Sequence, residues 1–144
     1  MRLSNLTDYA VVTMSAAARH CGKGALADPG DKRRGRTSAG ELAAETGLPA
    51  PTVSKVVSRL TAAGLLRSVR GARGGLQLAR PAAAITLADI VEAMEGPIAM
   101  AACTHGECAI ECSCTVRPHW PMVNETLHRA LSSVSLTRLA QVSA

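Results

Sequence analysis

The sequence predicts a mainly α-helical fold with one small β-hairpin. Apolar residues recur at steps of three and four along most of the chain, which is the period of an amphipathic helix. Between residues 65 and 81, two short apolar stretches flank a glycine-rich turn, a pattern typical of a hairpin. The 144 residues include no Phe, one Trp and one Tyr, so the core is built from Ala, Leu and Val. A core this thin gains burial when two copies associate.

The first helix is predicted by apolar residues at helical spacing: Leu3, Leu6, Ala10, Met14 and Ala17. We expect this helix to stop at the CGKG stretch, residues 21–24. The segment over residues 22–37 is rich in Gly, Pro and charge and has no periodicity, so we expect a mobile loop there.

Two helices joined by a tight turn come next. Ser38 and Glu41 form a capping box that opens a short helix, and Gly47 closes it. Pro51 suits the first turn of the second helix, which Gly64 ends.

The capping pattern recurs after the hairpin. Thr86 and Asp89 open another helix, which ends at Gly96. The last helix carries a heptad-like seam: Trp120, Val123, Leu127, Ala130 and Val134. We expect this seam to pack against a second copy of the chain.

This order of elements is that of a winged helix-turn-helix domain followed by a long dimerisation helix. We place the winged helix-turn-helix at residues 1–82. Residues 83–117 then form a connecting helix and a cysteine loop. Residues 118–144 form the dimerisation helix and a C-terminal tail.

The charge is unevenly distributed. Residues 1–80 hold 13 Lys and Arg against 5 Asp and Glu, whereas residues 81–144 hold 3 against 6. A basic half of this kind is typical of nucleic-acid-binding proteins. No apolar run reaches the roughly 18 residues of a membrane span, and the first residues lack the apolar region of a signal peptide. We therefore expect a cytoplasmic protein without membrane association.

The second helix of the pair has the chemistry to enter the major groove of double-stranded DNA. Its predicted DNA contacts are Thr52, Ser54, Lys55 and Arg59. Arg70 and Arg73 lie on the glycine-rich turn of the hairpin, where an arginine can enter a narrow minor groove. The basic run over residues 32–36 either adds phosphate contacts or only solubilises its loop. No acid–base pair or nucleophile stands out, so we do not expect an enzyme.

Four of the five cysteines lie within twelve residues, at Cys103, Cys108, Cys112 and Cys114. Thiols stay reduced in the cytosol, so this group indicates a metal site before a disulfide. Structural zinc sites pair cysteines as C-x2-4-C in two separate knuckles, which this spacing lacks. An iron–sulfur cluster accepts looser spacing. The spacing favours a cluster over zinc, with a redox-active disulfide loop third.

Four stretches together resemble the IscR/NsrR/RirA family of cluster-sensing transcription regulators. They are MRLSNLTDYA, the segment from GLPAP to LARP, the helix that runs into EGPI, and the cysteine loop before VRPHW. The likeness covers almost the whole chain and is strongest to members that regulate Suf-type iron–sulfur assembly genes. It implies a dimeric repressor that holds one cluster per subunit and binds a two-fold operator.

The resemblance also implies the cluster ligands. Three family cysteines match Cys103, Cys108 and Cys114, for a [2Fe-2S] or a [4Fe-4S] cluster. Cys112 lies where relatives usually have another residue.

The fourth ligand varies within the family. IscR-like members use a His three residues after the last cysteine, a position that is Arg117 here. NsrR-like members use an Asp of the partner chain, which matches Asp8. Cys112 and His119 are competing fourth ligands.

The function that we expect is therefore a transcription regulator whose promoter binding depends on an iron–sulfur cluster, with oxygen, nitric oxide or iron shortage as the signal. A zinc-stabilised winged-helix regulator is one alternative. An iron–sulfur carrier or electron-transfer protein is another, but it leaves the basic hairpin without a role.

Overall fold

A computed structural model describes residues 2–26, 35–72, 74–101, 103, 106, 108–110 and 112–141 of the chain. Its six helices in these ranges are α1 (Asn5–Leu26), α2 (Ala39–Thr46), α3 (Ala50–Ala62), α4 (Leu87–Glu95), α5 (Trp120–Ser132) and α6 (Leu136–Ala140). The strands β1 (Leu66–Val69) and β2 (Gly75–Leu78) form an antiparallel hairpin. Two short 3-10 turns cover Ala82–Ala84 and Arg117–His119. The predicted mainly helical fold with a hairpin wing is confirmed.

The first helix is longer than predicted. It continues through residues 21–24 and ends at Leu26, so the expected stop was wrong. A glycine inside a helix costs about 1 kcal/mol relative to alanine, which weakens a helix without ending it. The seam residues Ala10, Met14 and Ala17 are buried as predicted, whereas Leu3 precedes the helix and is exposed. Residues 27–34, half of the expected mobile loop, lie outside the described residues, and residues 22–26 belong to α1.

Both predicted capping boxes are present. The Ser38 hydroxyl accepts from the Glu41 amide at 3.1 Å, and the Glu41 carboxylate accepts from the Ser38 amide at 2.9 Å. Thr86 and Asp89 make the same reciprocal pair at the start of α4. Gly47 ends α2 with a φ of 72°, a conformation that glycine adopts without strain. These local signals fix where α2 and α4 begin.

The hairpin is joined along one edge to the segment before α2. The Thr37 amide donates to the Leu76 carbonyl at 2.9 Å, and the Leu76 amide donates back to the Thr37 carbonyl at 2.6 Å. A Cβ at Gly75 would lie 2.6 Å from the Thr37 carbonyl oxygen, so this close approach requires glycine. The wing is therefore fixed to the helical core at one edge.

The core lies around α1, which packs against α2, α3, α4, α6 and β2. Its largest fully buried apolar side chains are Met14, Leu42, Val53, Val56, Leu60, Leu66, Ile85, Ile90 and Leu136. They come from α1, α2, α3, β1, α4 and its preceding segment, and α6, and none is aromatic. One shared core thus holds the wing, α3 and the C-terminal α6 together.

The C-terminal region is not one continuous helix. α5 ends at Ser132, and the Val134 carbonyl accepts from the Leu87 amide at 2.8 Å. The Ser135 hydroxyl caps α6, and the Leu136 amide donates to the Ile85 carbonyl at 2.8 Å. The prediction that the heptad seam continues to Val134 is wrong, because this segment pairs with residues 85–87 instead. None of the helices in the described ranges is long and apolar enough to cross a membrane.

One buried hydroxyl gives a stability prediction. Thr13 is fully buried, and its Oγ1 has no hydrogen-bond partner among the described residues. Thr13→Val keeps the shape and removes the unsatisfied polar atom, so we expect the free energy of unfolding to rise by about 1 kcal/mol. Urea unfolding followed by circular dichroism measures it. A loss of stability of that size would contradict the prediction.

Candidate DNA-binding face and cysteine loop

Helix α3 has one buried side and one exposed side. Its buried residues are Val53, Val56, Val57 and Leu60. The opposite side exposes Ser54, Lys55, Ser58 and Arg59, and the helix carries no acidic residue. The sequence thus folds into a helix whose free face offers hydroxyls and positive charge.

A groove of about 730 Å³ separates this face from the hairpin. Its hydroxyl-bearing lining residues are Ser38, Ser54, Ser58, Thr61 and Ser68. Of these, only Ser54 is among the DNA contacts that the sequence predicted. Ser58 follows Ser54 by four residues and Lys55 by three, so the helical period could have revealed it. Ser38 and Ser68 reach the groove only through the fold.

The start of α3 bears partly free backbone donors. No side chain caps the helix, which follows Pro49, and Pro51 has no amide hydrogen. Thr52 is half-buried in this first turn. The positive end of the helix dipole therefore remains available to an anion at this end of the face.

The tip of the wing is shaped by glycines. Arg70 is exposed there, next to Gly71, whose φ is 104°. A Cβ on Gly74 would collide with the Val69 carbonyl oxygen, so the turn admits only glycine at that position. Arg73 lies outside the described residues. Arg70 thus projects from a tightly folded turn beside the groove.

The structure places Arg59 differently from the rest of the α3 face. Its Nη1 donates to the Met94 carbonyl at 3.3 Å, in the last turn of α4. Lys55 lies one turn closer to the start of α3. The Arg59 guanidinium is therefore directed toward α4, an arrangement that sequence spacing alone does not indicate.

A polar contact next to Arg59 joins the end of α4 to the start of α1. The Glu95 Oε1 accepts from the Ser4 amide at 3.1 Å and also from the Thr7 hydroxyl. Thr7 is fully buried and also bonds the Ser4 hydroxyl at 2.9 Å. Hydrogen bonds from Ser4 and Thr7 hold the pKa of Glu95 below its ordinary value, and the Arg59 charge acts in the same direction.

The cysteine loop begins directly after α4. Cys103, Cys108 and Cys114 are half-buried, Cys112 is exposed, and all four are free thiols. Three or more thiols are the ligands that iron–sulfur clusters take, so the donor set of this loop fits a cluster in kind and number. Within the described part of one chain, no three His, Cys, Asp or Glu side chains converge as a metal site.

The candidate fourth ligands lie on different elements of the chain. Asp8 is exposed on the first turn of α1, immediately after Thr7. His119 is exposed just before α5, and Arg117 lies two residues earlier in the same 3-10 turn. The structure thus leaves Asp8 accessible to a second chain.

Helix α5 is amphipathic, yet none of its residues is buried. Met122 is 63% exposed and Val123 36% exposed, although both are apolar. On the other side, His128 lies 3.6 Å from Glu92 of α4. An apolar helix face left open in one chain is the kind of surface that a second copy covers.

A family model described as "Rrf2: Iron-dependent Transcriptional regulator" matches residues 3–142. The chain belongs to the Rrf2 family. It is therefore a transcription regulator and not an enzyme, as the sequence predicted.

Known proteins similar to this Rrf2 chain include one relative from Rhizobium meliloti and two proteins of solved structure. Protein aau3 of Rhizobium meliloti (strain 1021) is 33% identical over 136 residues, which cover 92% of this chain and 76% of that protein. CymR (YrzC), described as the global cysteine regulator of B. subtilis, is 28% identical with a TM-score of 0.74 over 100% of this chain and 99% of CymR. T. potens IscR is 26% identical with a TM-score of 0.68, over 100% of this chain and 93% of IscR.

A salt-bridge cluster holds α2 of this Rrf2 protein against α1. Glu45 lies 3.1 Å from Arg19 Nε and 2.6 Å from His20 Nε2. Partial burial acts to raise the pKa of Glu45, but hydrogen bonds and charge from Arg19 and His20 outweigh it and hold that pKa below its ordinary value. The first helix of the helix-turn-helix is thereby attached to the core.

We expect Glu45→Gln to lower the free energy of unfolding at pH 7 by up to about 1 kcal/mol, because the pair is partly exposed. The folded-state pKa lies below the unfolded value of 4.5, so the stabilisation is present above that pH and is lost as pH falls through the folded-state pKa. The difference between wild type and variant should therefore shrink below about pH 4.5 in urea unfolding. A difference that stays constant as pH falls to 3 would contradict this assignment.

Proposed function

We propose that this Rrf2-family chain is a dimeric DNA-binding repressor whose affinity for a two-fold operator depends on an iron–sulfur cluster in the cysteine loop. The observation that carries the proposal is the presence, on one chain, of an acid-free α3 face and a loop of four free thiols. The proposed targets are genes for iron–sulfur assembly, iron supply or the response to redox stress. The proposed location of the protein is the cytoplasm.

DNA binding is supported by the chemistry around α3. The backbone amides at the start of the helix can donate hydrogen bonds to a DNA phosphate, and the helix dipole favours negative charge at this end. Lys55 can pair with a phosphate or with a guanine edge, and Thr52, Ser54 and Ser58 can donate to either. Arg70 is exposed on the turn of the hairpin, and Arg73 follows it three residues later in the sequence. These arginines can enter a minor groove next to the major groove that α3 would occupy.

Dimerisation is supported by α5. A helix with exposed Met122 and Val123 and no buried residue contributes little to the core of its own chain. Packing two copies of α5 about a two-fold axis would bury that surface and relate the two α3 helices by the same axis. Such an arrangement matches two half-sites of a palindromic operator.

Cluster binding is supported by the donor set. We assign Cys103, Cys108 and Cys114 as ligands, with Asp8 of the partner subunit as the fourth and Cys112 as the alternative. When bound, the cluster would hold these thiolates together and so restrict the loop. Asp8 lies in α1, within the proposed DNA-binding domain. Ligation of the cluster by Asp8 would therefore connect the cysteine loop of one subunit to the first helix of the other.

The likeness to CymR supports a second candidate, a regulator that responds to cysteine metabolism without a cluster. Anaerobic purification with iron and sulfide analysis distinguishes the two. A brown, iron-containing protein with visible charge-transfer absorption supports the cluster. A colourless, iron-free protein that still binds its promoter supports the second candidate, and colourless protein containing zinc supports a zinc-stabilised regulator.

Lys55→Ala tests the DNA-binding face. We expect operator affinity to fall about tenfold and the dependence of log K on log salt to weaken by about one unit, because one phosphate contact is lost. Fluorescence anisotropy over a salt series measures both. Arg138→Ala, which removes an exposed cation from α6, is the matched control and should leave both values at those of wild type. Equal effects of the two variants would contradict the proposal that the α3 face binds DNA.

Single substitutions test the ligand assignment. Cys103→Ser should abolish cluster binding, and Asp8→Ala should lower cluster content and speed cluster loss in air several-fold, because a ligand is missing. Cys112→Ser should retain the wild-type cluster. Visible absorption and iron content of anaerobically reconstituted protein measure these effects. The reverse pattern for Asp8 and Cys112 would make Cys112 the fourth ligand.

A further inference from the structure

We propose that the polar contacts at the end of α4 transmit the state of the cysteine loop to α3. These contacts, which we name the α4 junction, are formed by Ser4, Thr7, Arg59, Met94 and Glu95. The inference rests on the proposed function, since it names the route by which the loop controls DNA binding.

The α4 junction lies where the cysteine loop leaves the helical core. α4 ends at Glu95, and Gly96 with a φ of 85° turns the chain away toward Cys103. The carboxylate of Glu95 receives two hydrogen bonds from the start of α1, one from the Ser4 amide and one from the Thr7 hydroxyl. Since Thr7 is fully buried, this attachment is anchored in the core.

The same helix end is attached to α3. The Met94 carbonyl belongs to the last turn of α4, where carbonyl groups have no partner within the helix. Arg59 satisfies it with a hydrogen bond of 3.3 Å, and a cation is favoured at this negative end of the helix dipole. Residue 59 follows Lys55 by one helical turn, so the group that holds α4 belongs to the helix that presents the DNA-binding face.

The loop can act on this junction from two sides. Residues 96 and 97 continue directly from Glu95 into the loop. Asp8, the proposed ligand from the partner subunit, follows Thr7 directly in α1. Glu95 is therefore connected to the loop of its own subunit, whereas Thr7 is connected through Asp8 to the loop of the partner, so that clusters in both loops act on the two partners of the Thr7–Glu95 hydrogen bond.

The Arg59 bond is sensitive to small shifts. At 3.3 Å this bond is already at the long end of the distances that N–H···O hydrogen bonds span, so a movement of the α4 end by about 1 Å away from Arg59 breaks it. The freed guanidinium could then pair with a DNA phosphate from the C-terminal half of α3. The junction thus gives Arg59 two alternative partners, the end of α4 and DNA.

A purely structural role and a transmitting role predict different measurements. If the junction only stabilises the fold, its loss changes DNA affinity equally in the cluster-loaded and cluster-free forms. If it transmits, its loss changes the ratio of the two dissociation constants, which measures the coupling. The ratio is therefore the decisive quantity.

The experiment uses full-length protein and a DNA fragment selected from a random-sequence pool by a mixture of both wild-type forms. Dissociation constants are measured for each form of wild type, Glu95→Ala and Thr7→Val. We expect both variants to reduce the ratio at least fivefold toward one, with cluster content unchanged. Glu95→Gln, which keeps a hydrogen-bond acceptor, should restore most of the wild-type ratio. Thr13→Val, which like Thr7→Val removes a buried hydroxyl from α1, should retain the full wild-type ratio of the two dissociation constants.

The outcomes separate the two proposals. A wild-type ratio well above or below one that persists in Glu95→Ala overturns the α4 junction and leaves the proposed function intact. A wild-type ratio of one overturns the proposed cluster control and the junction with it. Glu95 is exposed, so Glu95→Ala decides the result even if Thr7→Val does not fold.

Discussion

The structure depends on the buried face of α1. Ala10, Ala16 and Ala17 leave room for other backbones to approach closely, and Met14 fills the remaining space. Four helices and one strand pack against α1, and no aromatic side chain is among the buried residues of the described core. Because close-packed interiors transmit displacement, the relative positions of α3, α4 and α6 are all defined through α1. A shift at the start of α1 therefore reaches α3, the helix of the candidate DNA-binding face, through direct contact.

Local sequence signals predicted the boundaries of several elements. The capping boxes at Ser38 and Thr86 depend on residues three apart, so their chemistry is visible without a fold. The glycine-rich turn identified the hairpin for the same reason. The errors occurred where distant backbone decided the outcome. α5 ends before Val134 because residues 134–136 pair with residues 85–87, nearly fifty positions earlier.

The candidate site shows the same division. Residue types identified the cysteine loop and the cationic α3 face. The partners of Arg59 and Glu95 could not be predicted, because Met94 is 35 positions from Arg59, and Ser4 is 91 positions from Glu95. Helical spacing could have added Ser58 to the α3 face, whereas Ser68 enters the groove only because the hairpin folds beside α3. Thiol chemistry is thus apparent from composition, while the proposed connection of the cysteine loop to DNA binding depends on tertiary contacts.

The return of Leu136 to the core has a consequence during protein synthesis. The fully buried Leu136 side chain completes the packing around α1, and its amide bonds the Ile85 carbonyl. The ribosome makes this residue only after the whole cysteine loop has been translated. A chain that terminates inside the loop therefore carries a DNA-binding domain with an unfilled core, and losing a buried leucine costs about 2–5 kcal/mol. Incomplete translation products, which would lack part of the cysteine loop, would in this way also be poor competitors for DNA.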